Sequence, residues 1–497
     1  MTIKTLREHQ TGSLSAIASA VRGIVNLPTG TGKTLIQSRA IMSEIQSAQS
    51  GGNVYVIVSP RILLSNQILE NVRTDLMLHS TDAQYLVVHS GSGNYDAELK
   101  LLRESNLPFR ETANTTSTIE IRDAYNRAVA EGVPLVISST YHSFERIRDA
   151  GVPLTTVYCD EAHYLVTENF SAISEIPGRA FFFTATMRNT ASEDGIGMNN
   201  VERFGEVIYS KKPVEMIEAG EIVRPRLHLV DMKDQPESDE ADALAVVEAF
   251  KEHRSIVHTG AKLLVVAKGV THLNAIVNSE VLARLRRVTP NLTVFDISSE
   301  YEARINGETV TRSVFFKRMQ NLTDADLAII IHIDILAEGI DVPGITGVMP
   351  FNNLKKSKFL QTLGRATRLH NTDRARLYSG EIKFDALDEF VKPYSYVVVP
   401  VYGSMGDDLR SSVREMILEM RGFGFNPSED IVVKASRGKL VPAPIGTVNE
   451  LVDRFRDVFD FITSVIHDVE EAEEADALCA EVAGAEVVDE LAELAYN

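Results

Sequence analysis

Cysteine is nearly absent: the 497 residues contain two, Cys159 and Cys479, far apart in the chain. Neither a disulfide framework nor a multi-cysteine zinc site can be built from such a pair. Long apolar runs are missing as well. The longest, such as "LAIIIHI" (327–333), fall well short of the ~20 residues of a membrane-spanning helix, and the N-terminus lacks a signal-peptide pattern. An intracellular location without a membrane partner is expected. Positive charge is scarce, with 50 Lys and Arg against 69 Asp and Glu and a net charge of −19. That deficit is local. From Asp457 onward the chain carries 13 acidic residues and no Lys or Arg, which leaves a balance of only −6 over residues 1–456. The acidity therefore belongs mainly to a tail, and the body can still hold a local basic groove.

What is present is ordinary globular composition, 44% hydrophobic and 24% charged, in a chain long enough for about three domains. Short apolar, β-prone runs alternate with helix-like stretches: "VYVIVS" (54–59), "YLVVHS" (85–90), "LVISST" (135–140), "TVYCDE" (156–161) and "AFFFTAT" (180–186). After a polar, proline-bounded stretch near 211–228 the rhythm resumes with "KLLVVAK" (262–268), "LTVFDIS" (292–298), "LAIIIHI", "ITGVMPF" (345–351) and "YSYVVVPV" (394–401). Strands alternating with helices predict parallel sheets covered by helices. The expected fold is α/β: an N-terminal lobe over 1–212, a second lobe over 213–402, and a small, mostly helical C-terminal region with an acidic tail over 403–497.

"NLPTGTGKTLIQ" (26–37) lies between an apolar run and a stretch with helical spacing. Its loop residues Thr29, Gly30, Thr31 and Gly32 suit a phosphate cradle, since glycines let backbone N–H groups turn toward an anion. Lys33 can reach the β/γ oxygens and the Thr34 hydroxyl suits Mg²⁺. The helix beginning there adds its positive end. The first glycine of the usual pattern is replaced by Leu27. A phosphate loop alone fits a kinase, a switch or a motor.

The acids that follow narrow this choice. In "VYCDEAH" an apolar strand delivers Asp160, suited to holding Mg²⁺ through water, and Glu161, suited to activating an attacking water. "FFFTATMRN" ends a buried strand in Thr184 and Thr186, hydroxyls able to couple back to the acids. In the second lobe Gly339 and Asp341 follow the strongest strand. In "FLQTLGRATRLH" (359–370), Gln361, Arg365 and Arg368 share one helical face. Two arginines one turn apart suit an anion, and a γ-phosphate offered by the other lobe would neutralise them.

These motifs, in this order, resemble superfamily 2 helicases and translocases of DExH/DEAH type. "LREHQ" (6–10) resembles the adenine-reading segment, with Gln10 in the recognising position. "PTGTGKT" resembles motif I, in which the first position is often not glycine. "VSPRILLSNQ" resembles motif Ia, "DEAH" motif II, "TAT" motif III, "AEGIDVP" motif V and "QTLGRATR" motif VI. The likeness spans roughly residues 5–400. The stretch 204–225 is similar to the inter-lobe segment of phage UvsW-like, XPB-like and restriction-motor ATPases, with His9 where that branch often has Tyr.

The resemblance implies two RecA-like lobes with ATP and Mg²⁺ in the cleft between them. Lys33, Thr34, Asp160 and Glu161 would act from one side, Arg365 and Arg368 from the other. It implies nucleic-acid contacts from Pro60, Arg61, Gln67, Thr140 and Tyr141, aimed at phosphates and hence blind to sequence. It points to a helicase or translocase acting on DNA more than on RNA, in recombination or repair, in the cytoplasm of a bacterial or phage-infected cell. Alternatives are a motor subunit of a restriction or defence system, an RNA helicase, or an ATP-switched interaction protein whose acidic tail meets a protein partner. "EIK" (381–383) with Asp373 upstream imitates half of a nuclease motif, but lies where no separate nuclease fold has room.

Overall fold

The computed structural model describes residues 5–48, 52–91, 112–192, 195–232, 238–257, 260–298, 303–333, 344–351, 356–402, 413–414, 416–418, 420–425, 430–434 and 440–442. Two parallel sheets organise them. The first contains β1 (Arg22–Asn26), β2 (Val54–Ser59), β3 (Gln84–Val88), β4 (Thr112–Asn114), β5 (Leu135–Thr140), β6 (Thr156–Cys159), β7 (Arg179–Thr184) and β8 (Val207–Ser210), in the order β4-β3-β5-β2-β6-β7-β1-β8. The second contains β9 (Pro225–Asp231), β10 (Lys262–Val266), β11 (Leu292–Ile297), β12 (Arg304–Ile305), β13 (Glu308–Thr309), β14 (Leu327–His332), β15 (Gly347–Pro350), β16 (Ser395–Val401), β17 (Ile431–Lys434) and β18 (Leu440–Pro442). Its order is β13-β12-β11-β14-β10-β15-β16-β9-β17-β18.

The strand sequences explain both sheets. Central strands of a helix-covered parallel sheet are buried on both faces, so they read as unbroken apolar runs instead of alternating ones. In β2, Val54, Val56 and Val58 join one core while Tyr55 and Ile57 join the core on the opposite face. In β10, Leu264 and Val266 face one core, Leu263 and Val265 the other. Between the sheets, β8 ends at Ser210 and the short helix Pro213–Glu218 leads to β9.

Register places the functional loops. Asn26 pairs with Thr184, Cys159 with Phe182 and with Val58, and Ser59 with Thr140. The C-terminal ends of β1, β7, β6, β2 and β5 are therefore level, and that edge is where ligands bind in such sheets. One difference from the sequence reading concerns the region beyond 402. It contributes β17, parallel to β9, and β18, antiparallel to β17, so lobe two's sheet extends past the expected boundary. The acidic tail from 457 onward lies outside the described residues.

Candidate functional site

The phosphate loop occupies the turn between β1 and the helix Lys33–Ser47. Gly30 and Gly32 have φ of +88° and +87°, a left-handed conformation that disfavours other residues. Leu27 extends β1, its N–H donating to the Thr184 carbonyl at 3.0 Å, and its side chain is fully buried in the core. That position needs a strand residue, which accounts for leucine where the usual pattern has glycine. The Lys33 ammonium lies back across the loop, donating to the Leu27 carbonyl at 3.1 Å and the Pro28 carbonyl at 3.4 Å. The Thr31 hydroxyl donates to the Pro28 carbonyl at 2.8 Å.

The segment before the first helix grips the same loop. The Thr31 carbonyl accepts from Arg7 at 2.8 Å, from His9 Nε2–H at 2.9 Å and from Gln10 Nε2 at 3.0 Å. Gln10 Oε1 in turn accepts the Arg7 backbone N–H at 3.0 Å. Gln10 is thus committed to the loop in this state, its amide so close to Gly32 that a side chain there would strike it. Arg7 also forms an ion pair with Glu221, which lies beyond the first sheet on the way to β9. Arg7 and Glu221 were not singled out by sequence because nothing local pairs two residues so far apart in the chain.

Asp160 and Glu161 follow β6 at the level edge. Asp160 is 5% exposed, and its Oδ1 accepts from Gln37 Nε2 at 3.0 Å. Burial, reinforced by the Glu161 charge, raises its pKa to about 7, while Lys33 opposes the shift. Gln37 is a site residue the sequence reading missed, although its spacing of four from Lys33 puts both on one helical face. Glu161 has φ of +50°, unusual for a side chain of this size and a strain of about 1–3 kcal/mol. Its Oε2 is buried without a hydrogen-bond donor, 3.4 Å from His163 Nδ1. Thr184 Oγ1 gives its proton to the Thr186 carbonyl at 2.8 Å, so His163 Nδ1 must donate to Thr184 at 3.3 Å. His163 therefore links Glu161 to the Thr184–Thr186 strand end, and Thr186 N–H closes the turn onto Thr184 Oγ1 at 3.1 Å.

The donor set fits Mg²⁺ and a nucleotide triphosphate. Glu161 Oε2 and Gln37 Oε1 are buried acceptors with no donor, Gln37 lying one turn along the helix from Lys33. Thr34 and Asp160 would hold Mg²⁺, which would supply charge neutralisation at the phosphates.

The second lobe completes the cleft from the opposite side through the helix Lys356–Ala366. At Gly364 a Cβ would overlap Thr29, so glycine allows the helix to sit directly on the phosphate loop. The Arg368 stem passes over Gly30, where its Cγ would lie 2.8 Å from a Cβ. The strand bridge Ile222–Arg368 and the Val223 N–H donated to the Thr367 carbonyl at 2.8 Å fix this turn. Arg365 is 6% exposed on the same helix. Gly339 and Asp341 lie outside the described residues, as does the Gln361 side chain. A Gly364→Val change is expected to force the lobes apart at Thr29 and lower nucleotide turnover by up to about 10²-fold. Steady-state hydrolysis at saturating nucleotide checks it, and an unchanged rate would show that this contact does not set the cleft.

The residues expected at a nucleic-acid face divide into two groups. Pro60 and Arg61 occupy the turn between β2 and the helix Ile62–Leu78, Arg61 exposed, and Gln67 is half-buried on that helix. Thr140 ends β5 and Tyr141 follows it; they are 4% and 3% exposed. Thr140 Oγ1 donates to Ser143 at 3.2 Å, and the Tyr141 hydroxyl donates to the Asp160 carbonyl at 2.6 Å. The Tyr141 hydroxyl thus ties the turn after β5 to the backbone of Asp160. Asp373 is fully buried and accepts the Val391 and Lys392 N–H groups at 2.7 and 2.9 Å, a structural role that leaves no nuclease half-site.

Residues 7–193 match the DEAD/DEAH box helicase family. The chain is 20% identical over 364 residues to the ATP-dependent RNA helicase DBP6 of Candida albicans, covering 71% of this chain and 54% of that protein. It thus spans about half the length of that curated relative. Among solved structures, the Type ISP restriction-modification enzyme LlaBIII bound to DNA gives a TM-score of 0.64 at 15% identity, over 93% of this chain and 33% of that one. A variant of S. cerevisiae Dbp5 bound to RNA and ADP BeF3 gives 0.52 at 12% identity, over 93% and 94%. These likenesses show a shared two-lobe α/β architecture.

Proposed function

We propose that this chain, whose residues 7–193 match the DEAD/DEAH box helicase family, is an ATPase driven by nucleic acid that unwinds, translocates along or remodels DNA. The observation that carries the reading is the meeting of two motifs across the cleft: the phosphate loop at Thr29 and Gly30 against Gly364 and Arg368. A site split in this way hydrolyses only when the lobes close, and lobe closure is what displaces a bound strand. Arg61, in the turn after β2, and Gln67, on the helix that follows, are the contacts that would transmit the motion to phosphates. Recombination or repair is the proposed role, with a cytoplasmic location and a protein partner for the acidic tail.

The test compares hydrolysis with single-stranded DNA, duplex DNA, forked DNA and RNA at one ionic strength. DNA, forked DNA above all, is expected to stimulate most. Stimulation by RNA alone would replace this reading with an RNA helicase. A second reading, a motor within a restriction or defence assembly, draws on the fold shared with the restriction-modification enzyme. Under it the DNA stimulation stays the same, and DNA cleavage requires a nuclease partner.

A further inference from the structure

Lys392 is 1% exposed and lies outside every motif quoted above, between the turn Leu387–Glu389 and β16. Its ammonium donates to three backbone carbonyls: Ile345 at 3.0 Å, Arg368 at 2.6 Å, and Ala366. Ala366 is the last residue of the helix that carries Gly364 and Arg365, and Arg368 follows two residues later. The last carbonyls of a helix have no partner within it and form its negative end. A buried ammonium satisfies both needs at once. From the other side, the Asp373 carboxylate holds the Val391 and Lys392 N–H groups, and Asp373 sits on the next helix, Asn371–Tyr378. The turn between the two helices is thus clamped to the segment that leads into β16.

Burial lowers the Lys392 pKa to about 7; the Asp373 carboxylate opposes that shift, and Arg368, Lys262 and Arg374 add to it. A methionine of similar length would avoid that cost but could donate nothing. What lysine supplies here is three hydrogen bonds to the backbone from which the Arg368 side chain leaves to cross over Gly30.

We propose that Lys392 is a positioning residue for nucleotide hydrolysis, fixing the backbone of the Ala366–Arg368 turn so that the Arg368 guanidinium meets the transferring phosphate. The proposal rests on the ATPase reading above. Misplacing a reacting group by about 1 Å costs about 10²-fold in rate. Lys392→Met is therefore expected to lower kcat by about 10²-fold while ATP affinity stays within about threefold, because Lys392 touches neither the phosphate loop nor the acids.

A double-mutant cycle separates positioning from general destabilisation. If Lys392 acts through Arg368, the Arg368→Ala/Lys392→Met protein turns over no more slowly than Arg368→Ala alone. Lys392→Gln, with one amide on a shorter arm, should fall between wild type and Lys392→Met, and it decides the matter if the methionine variant does not fold. A wild-type kcat in either Lys392 variant, a matching loss of ATP affinity, or losses that multiply in the double variant would overturn the proposal. Absence of ATP hydrolysis in the wild-type protein itself would overturn the ATPase reading and this inference with it, so the two failures are distinguishable.

Discussion

A Glu161→Gln protein is expected to bind ATP and fail to hydrolyse it. The carboxylate stands at the level edge of β6, β7 and β1, held in a left-handed conformation that only the surrounding structure can enforce. Its Oε2 accepts no hydrogen bond and lies 3.4 Å from His163 Nδ1, so its lone pairs can take a proton from an attacking water. Glutamine keeps the shape and loses that basicity, and removing such a base typically costs about 10²–10⁴-fold. Asp160, which would hold Mg²⁺, keeps its Gln37 partner in this variant, so nucleotide affinity should persist. Lys33→Ala is the contrasting case: it removes the ammonium that now bonds Leu27 and Pro28, so both binding and hydrolysis should fall. Phosphate release and binding of a labelled nucleotide, measured side by side, separate the two outcomes. Near wild-type turnover by Glu161→Gln would remove this residue from its role.

Arg365→Ala and Arg368→Ala should each depress turnover far more than nucleotide affinity. The two arginines come from the second sheet's lobe, yet Arg368 lies across Gly30 of the first. The phosphates are anionic throughout, but their charge redistributes in the transition state, and a cation placed by lobe closure to meet that redistribution acts mainly there. An arginine supplied in this manner is worth about 10³–10⁵ in rate. The loss should appear in kcat at saturating ATP, with the dissociation constant for a non-hydrolysable analogue little changed. Equal losses in affinity and rate would place the arginines in ground-state binding instead.

Much of this was legible in the sequence, for physical reasons. Strands buried on both faces must be apolar throughout, so "VYVIVS" and "LAIIIHI" declare themselves. The phosphate loop is recognisable because left-handed turns at Gly30 and Gly32 restrict the residues that fit. Other features were hidden. Gln37 looks like any polar helix residue until Asp160, on a strand more than a hundred residues later, is placed beside it. Gly364 reads as a weak helix residue, and only the approach to Thr29 explains it. Tyr141, which the resemblance implies as a nucleic-acid contact, is buried with its hydroxyl on the Asp160 carbonyl, a partner that only the fold brings near. Lys392 carries no motif, and its three carbonyl partners are brought together by two helices and β15. At "IVVK" (431–434) the run is too short to signal a strand without β9 beside it.

The central claim is that nucleic acid and ATP hydrolysis are coupled through closure of the cleft between Gly30 and Arg368. The most direct measurement is the rate of ATP hydrolysis by the full chain as DNA is titrated from zero to saturation, for wild type and Arg368→Ala. The account predicts a low basal rate that rises and saturates with DNA in the wild type and stays flat in the variant. A wild-type rate independent of nucleic acid, or an Arg368→Ala protein stimulated as strongly as wild type, would contradict it.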